Sequence, residues 1–440
     1  MAHTKIIVLD DDPTGSQTVH SCLLLTRWDA ATLREALLDE APLFFVLTNT
    51  RSMHAQQAAE VTREVCRNIK SVLAYLKEEG TSINPIVVSR SDSTLRGHYP
   101  VETDVIAAEL GPFDAHFLVP AFFEGGRVTR DSVHYLMVDG KPVPVHDTEF
   151  AKDSVFGFST AFLPEYVEEK TRGRIKAKDV ERFMLNDVRG DIHHRLMALS
   201  DNVCCVVDAE QQSDLDNFCN QLQVAAEHGK RFLFRSAASL LTSLAHLPPQ
   251  SVKPEAMSAY VRNAKPGAVV VGSHVKKTTA QLQQLLKQPA IVGVEVDVGQ
   301  IHGNRDQLFT EINSAVHQAH ADGLTPVIYT SRVEKGFADE TSRLAFGELV
   351  SDFLMDVVRA LPADIGFLIS KGGITSNDVL SHALALRASR VVGQILAGCS
   401  VVRCPADHPC FADLPVVIFP GNVGDEFALA TVYNRLSSGG

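Results

Sequence analysis

The sequence predicts an α/β protein of two domains, residues 1–250 and 251–440, each a mostly parallel sheet flanked by helices, with the active site in the interdomain cleft. Three observations predict it. Short β-rich runs that are apolar throughout recur along the chain, as in strands covered on both faces. Helical stretches alternate with them, the pattern of parallel strands joined by crossover helices. A chain of 440 residues also exceeds one ordinary core, and the prolines of Leu247-Pro248-Pro249-Gln250-Ser251-Val252-Lys253-Pro254 would break any regular element at its middle.

The first strand, Ile6-Ile7-Val8-Leu9, runs into Asp10-Asp11-Asp12 and turns at Pro13-Thr14-Gly15. Three carboxylates ending a buried strand are costly unless a cation, a hydrogen-bond network or a protonation shift compensates them, so the cluster reads as a working site. A helical pattern over Thr32 to Glu40 precedes Phe44-Phe45-Val46-Leu47, which leads into Thr48-Asn49-Thr50-Arg51. A longer one, Gln56 to Glu79, precedes Ile86-Val87-Val88 and the cluster Ser89-Arg90-Ser91-Asp92-Ser93-Thr94. Phe117-Leu118-Val119 leads into Pro120 and Glu124-Gly125-Gly126-Arg127, and Val203 to Val207 ends at Asp208 before a helix over Asp214 to His228. Val138 to Arg174 is irregular, an excursion expected to pack near the first site.

After the linker the pattern restarts. Ala268 to Val271 leads into Gly272-Ser273-His274 and a helix over Thr278 to Gln288; Pro326 to Tyr329 leads into Thr330-Ser331-Arg332. Ile365 to Ile369 leads into Ser370-Lys371-Gly372-Gly373-Ile374-Thr375 and a helix over Asp378 to Leu386; Val416 to Phe419 leads into Pro420-Gly421-Asn422-Val423-Gly424. In parallel sheets ligands gather beyond the carboxyl ends of the strands, where these polar clusters fall.

Composition narrows the class. A hydrophobic content of 45% with 21% charged residues suits a soluble enzyme. No cationic leader precedes an apolar stretch and no apolar run approaches bilayer length, so the expectation is a cytoplasmic protein without a membrane partner. A net charge of −12 without a basic run argues against a nucleic-acid partner, and any anionic substrate must be held by local arginines and lysines. Eight cysteines without a Cys-x-x-Cys pair give no disulfide framework. Cys404-x3-His408-x-Cys410 lacks a fourth spaced zinc ligand and reads as incidental thiols.

Asp11, Asp12 and Asp92 could bind a metal, orient hydroxyls or remove a hydroxyl proton, and each task asks only for a carboxylate. Arg51, Arg90, Arg96 and Arg127 could grip a carboxylate through two parallel hydrogen bonds. The glycine turns at Gly272-Ser273, Gly372-Gly373-Ile374-Thr375-Ser376 and Gly421-Asn422-Val423-Gly424 let backbone amides approach phosphate oxygens, although their serines and threonines also suit plain helix caps. Neither a Walker P-loop nor a Gly-x-Gly-x-x-Gly fingerprint is present. The halves therefore read as a grip for a small polar acid and a grip for a nucleotide polyphosphate, the inventory of Mg²⁺-assisted phosphoryl transfer. Two other readings compete. Asp10-Asp11-Asp12-Pro13-Thr14 also fits the Asp-x-Asp-x-Thr of haloacid-dehalogenase-like Mg²⁺-dependent phosphatases, with Asp10 as nucleophile and Asp12 as acid/base, but Gly424-Asp425-Glu426 is a poor substitute for their late metal-binding acidic pair and the glycine turns are left without a task. The third is a non-catalytic sugar-acid sensor.

The motifs together resemble the four-carbon acid sugar kinases. Asp11-Asp12-Pro13-Thr14-Gly15 is similar to that family's Asp-Asp-x-Thr-Gly, Thr50-Arg51 to its Thr-Arg, and Arg90-Ser91-Asp92-Ser93-Thr94-Leu95-Arg96-Gly97 to its Lys-x-Asp-Ser-Thr-x-Arg-Gly. Pro120-Ala121-Phe122 with Gly126-Arg127 resembles Pro-Ala-Phe…Gly-Arg, and Gly272-Ser273 with Thr278 and Gln281 resembles Gly-Ser…Thr-x-x-Gln. Gly372-Gly373-Ile374-Thr375 resembles the Gly-Gly-x-Thr loop, and Gly421-Asn422-Val423-Gly424 the Gly-Asn-Phe-Gly turn. The resemblance implies an ATP-dependent kinase acting on the terminal hydroxyl of threonate, erythronate or a 3-oxo-tetronate, with Mg²⁺. It implies Asp12, Asp11 and Asp92 as catalytic candidates and Asp11, Arg51, Arg90, Ser91, Asp92, Ser93 and Arg127 around the acid. Ser273, Gly372, Gly373, Ile374, Thr375 and Gly421 would meet ATP. The metal ligands stay open, as does the oligomeric state, a homodimer included. Arg90 stands where lysine is usual and the stretch after Tyr135 follows the family loosely, which leaves the choice of acid and its stereochemistry open.

Overall fold

Strands sealed on both faces need apolar side chains at consecutive positions, and Ile6 to Leu9 supply the central one, each at most 5% exposed. The computed structural model describes residues 3–273, 275–332, 340–421 and 423–437, so His274 and Asn422 of the glycine turns lie outside the described residues. The chain forms two units, Met1–Pro249 and Gln250–Gly440. Among the described residues no helix is long and apolar enough to cross a membrane.

The first unit contains β1 (His3–Asp10), β2 (Cys22–Leu25), β3 (Leu43–Leu47), β4 (Ile83–Arg90) and β5 (Ala115–Val119). A separate antiparallel sheet follows, β6 (Arg127–Arg130), β7 (Val133–Val138) and β8 (Lys141–Pro144). The last strands are β9 (Glu181–Phe183), β10 (Val203–Val207) and β11 (Phe232–Ser236). The main sheet runs β2-β3-β1-β4-β11-β5-β10-β9, and all of these pairs are parallel. After β1 the chain builds β2 and β3 on one side and then β4 on the other. That reversal opens a crevice beyond the ends of β1, β3 and β4.

Helix Ala55–Glu78 buries Ala58, Thr62, Val65, Cys66, Ile69, Val72 and Leu76, a stripe at helical spacing, and His54 Nδ1 caps its start by accepting from Gln57 N at 3.2 Å. Phe117 of β5 packs against Phe183, Phe218, Phe232 and Phe234 with ring centroids 5.3–5.8 Å apart, which fastens β9, β11 and helix Gln212–Glu227 to the sheet. The irregular excursion packs where expected. Tyr166 is buried and its hydroxyl donates to Leu95 O at 2.8 Å, and the Phe156 ring stands edge-on to His98.

The second unit contains β12 (Ala268–Val271), β13 (Ile291–Val296), β14 (Thr325–Thr330), β15 (Leu368–Lys371), β16 (Ala388–Leu396), β17 (Cys399–Arg403) and β18 (Pro415–Phe419). Their order is β13-β14-β12-β15-β18-β17-β16. The first five are parallel, whereas β17 is antiparallel to both β18 and β16. The expected α/β character and mostly parallel sheets are thus present, with an antiparallel extension the apolar runs did not announce. One helix also differs from expectation: it begins at Gly373 rather than Asp378, running to Asp378 and continuing as a π turn to Ala383. Gly372, at φ +119°, turns β15 directly into it, a conformation that favours glycine. Here too the reversal falls beside the first strand, since β14 and β15 flank β12.

Candidate active site

The three aspartates at the end of β1 occupy three different environments. Asp10 is fully buried, and neither carboxylate oxygen has a hydrogen-bond partner among the described residues. Arg90 Nη1 lies 3.6 Å from Asp10 Oδ1, and Gly15 packs so close that a Cβ there would fall 1.9 Å from Oδ2. Burial drives the Asp10 carboxyl well above its ordinary range; Arg90 opposes this, and Asp11 and Asp12 reinforce it.

Asp11 is equally buried but fully engaged. Arg51 grips both its oxygens, through Nε at 3.2 Å and through Nη2, and Ser91 Oγ donates to Oδ2 at 2.6 Å. Burial alone would raise this carboxyl, yet the Arg51 charge and hydrogen bonds, with Arg235 and Arg90 behind them, hold it below the usual carboxylate range. Asp12 is the outermost, with a side chain 22% exposed. Its Oδ1 accepts from the backbone and hydroxyl of Thr14, and its Oδ2 lies 3.5 Å from Arg51 Nη1.

The loop after β4 supplies the facing wall. Asp92 Oδ2 accepts from Arg96 Nε at 2.8 Å and from the Thr94 hydroxyl. Burial would raise Asp92, but Arg51 and Arg96 outweigh it and hold the group acidic. The structure therefore gathers Asp11, Asp12, Arg51, Ser91 and Asp92 around one crevice. Arg90 sits beneath them, only 4% exposed, against Asp10. Ser93 turns its carbonyl to His134, while half-buried Arg127 donates to Gly125 O at 2.5 Å and stands over the Phe122 ring.

Residues that no motif marked hold this wall in place. Arg235 of β11 donates to Ser89 Oγ at 2.9 Å, Ser91 Oγ at 2.5 Å and Glu102 Oε2 at 2.5 Å, and Thr50 Oγ1 donates to Glu102 Oε1 at 2.5 Å. A continuous buried chain thus runs from Thr50 through Glu102, Arg235 and Ser91 to Asp11. Gly97, at φ +114°, lets the backbone pass over it: a Cβ would meet Ser91 Oγ at 2.4 Å and Arg235 Nη2 at 2.6 Å.

His134 of β7 is fully buried beneath the same loop. Its Nε2 donates to Ser93 O at 2.7 Å, so Nδ1 accepts from Thr129 Oγ1 at 2.9 Å. Burial lowers its pKa to about 4, against the pull of the Ser93 carbonyl. Between the unfolded value, near 6.5, and about 4 the folded state binds fewer protons than the unfolded one. Its stability contribution is therefore complete above pH ~6.5 and is lost as pH falls toward 4, by on the order of 3 kcal/mol. Urea midpoints measured across that window should fall more steeply for the native chain than for His134→Gln; parallel slopes would remove His134 from the account.

In the second unit the ends of β12 and β15 form a tight cradle. A Cβ on Gly272 would lie 2.3 Å from Thr375 Oγ1, and one on Gly372 would lie 3.3 Å from the Ser273 Cβ. Gly372 N donates to Phe419 O at 2.8 Å, Thr375 is buried, and Ile374 stands 70% exposed at the rim. Gln281 Nε2 donates to Val423 O and Asp425 O at 2.9 and 2.8 Å, fixing the third turn to helix Lys276–Leu285. Gly421 has open space around its α carbon. Ser273, Gly372, Gly373, Thr375 and Gly421 thus follow three neighbouring strands, β12, β15 and β18.

Comparison with known proteins adds to this geometry. A sugar-binding N-terminal domain matches residues 6–244, and a nucleotide-binding C-terminal domain matches residues 268–429. Over 153 residues the chain is 28% identical to D-erythronate kinase of Heliobacterium modesticaldum, a stretch covering 34% of this chain and 32% of that one. The chain thus spans about a third of the length of the curated relative it matches. Among solved structures, a Salmonella typhimurium LT2 protein described only as a candidate tRNA synthase aligns over 99% of this chain and 98% of its own, with a TM-score of 0.71 at 18% identity. The Haemophilus influenzae protein HI1011 aligns over 98% of this chain and 100% of its own, with a TM-score of 0.64 at 17% identity. Those two likenesses concern the fold.

Proposed function

The chain belongs to the four-carbon acid sugar kinase family, and we propose that it transfers the terminal phosphoryl group of ATP to the terminal hydroxyl of a four-carbon sugar acid of the threonate, erythronate or 3-oxo-tetronate type. The observation that carries this reading is the unequal treatment of adjacent aspartates at the end of β1. Asp11 is locked to Arg51 and Ser91, while Asp12 keeps an oxygen toward solvent. A carboxylate held acidic by cations is a poor proton acceptor, which sets Asp11 and Asp92 aside as bases. Asp12 is the group left to accept the attacking hydroxyl. Arg51 Nη1, beside it, and Arg96, above Asp92, supply positive charge for the acid's carboxylate. The phosphatase reading needs Asp10 to attack a phosphoester, and its carboxylate is sealed.

ATP suits the second unit because three glycine-bearing turns follow the neighbouring strands β12, β15 and β18, packed close at Gly272 and Gly372 and open at Gly421. No group of three metal-ligating side chains occurs among the described residues, so Mg²⁺ would be held chiefly by the nucleotide's own phosphate oxygens and by water. When bound, the ion would neutralise charge between the phosphates.

Incubation with MgATP and a panel of tetronates tests the proposal. ADP release that depends on one of the acids is expected, with phosphate appearing on that acid. ADP release indifferent to the acid, or phosphate release from simple phosphoesters without ATP, would overturn it.

A further inference from the structure

Beneath the glycine turns of the second unit lies an ionisable group with no role so far. Lys371 closes β15, in register with Val271 of β12 and Phe419 of β18, and has no exposed surface. Its Nζ donates to Pro420 O and stands 4.2 Å from the Phe419 ring centroid. Among the described residues no carboxylate pairs with it, and an ammonium has three donors to place. Gly372 follows Lys371 and Gly421 follows Pro420, so the ammonium sits between the second and third turns.

We propose that Lys371 is the cation that meets the nucleotide's phosphates at the Gly372-Gly373 turn. The proposal rests on the reading of the second unit as the nucleotide's. A cation buried without a counter-ion is costly, and an anionic ligand in the adjacent cradle supplies the missing charge. The titratable groups whose charge bears on Lys371 are the Cys399 thiol of β17 and Lys277 of helix Lys276–Leu285. Burial lowers Lys371 to about 7, Cys399 opposing and Lys277 adding to the fall. Empty, it is mostly uncharged at pH 8; beside phosphate it regains its charge by drawing one proton from solvent, with no covalent change.

Calorimetric titration of the full chain with ADP and with AMP-PNP, both with Mg²⁺, reads this directly. Repeated in buffers of different ionisation enthalpy, it should give uptake of close to one proton per nucleotide at pH 8 and little at pH 6. Lys371→Met should abolish the uptake and weaken binding roughly ten- to a hundredfold. Lys371→Arg, charged throughout, should bind without uptake. A Lys371 that only ties Pro420 to β15 would give tight binding without proton uptake in the native chain, or the same uptake in Lys371→Met, and either result overturns the proposal. If Lys371→Met does not fold, the native pH series decides alone. Absence of any nucleotide binding would count instead against the functional reading beneath it.

Discussion

Asp12→Asn is expected to leave the fold intact and lower kcat by about 10²–10⁴, the usual worth of a positioned proton acceptor. The amide keeps an oxygen for Thr14 N and hydroxyl, so the turn after β1 retains its anchor. What disappears is the negative oxygen beside Arg51 and its ability to receive a proton. KM for the acid should change less than about threefold, because the group acts in the transition state rather than in uniform binding. Raising Mg²⁺ separates the two tasks a carboxylate could perform there: recovery at high Mg²⁺ identifies a metal contact, and none identifies the base. Turnover within about threefold of the native enzyme would remove Asp12 from the chemistry.

This prediction depends on a distinction that the sequence alone could not draw. Asp10, Asp11 and Asp12 are one triplet in the chain, and their placement after an apolar strand located the site. The carboxyl ends of β1, β3 and β4, and of β12, β15 and β18, were legible in the same way, because strands buried on both faces leave continuous apolar runs. Burial, however, depends on residues far away in sequence. Glu102 lies on helix Val101–Leu110, where no motif marks it, and its counter-ion is Arg235, 133 residues on. β11 was not anticipated because its apolar run is only Phe232-Leu233-Phe234 before Arg235, although it lies at the centre of the sheet. The hairpin of β16 and β17 escaped for the opposite reason: β16 alternates buried and half-buried positions, as antiparallel strands do, and carries no continuous run. His134 is a lone histidine in sequence, and its neutral, fixed tautomer exists only because Ser93 and Thr129 flank it.

Arg235→Met should be the most damaging single change to the first unit. The Arg235 and Glu102 side chains are 4% and 6% exposed, so removing the cation leaves a carboxylate buried without its partner. A cost of about 3–5 kcal/mol is expected, read as a fall in urea midpoint at unchanged slope. Combining it with Glu102→Met removes the stranded charge as well. Replacing both members of a buried ion pair with apolar groups of similar volume is often nearly neutral, so the double variant should recover most of the midpoint. Activity should not follow. Ser91 would still lack the Arg235 donor that fixes its hydroxyl at 2.5 Å, and with it the geometry by which Ser91 holds Asp11. Recovered stability with turnover still depressed at least ~10-fold marks Arg235 as a positioning residue, because a fold-only role would restore both together. If the single variant loses less than about 1 kcal/mol, or the double variant loses the sum of both singles, the buried pair does not work as a unit and this account of the wall fails.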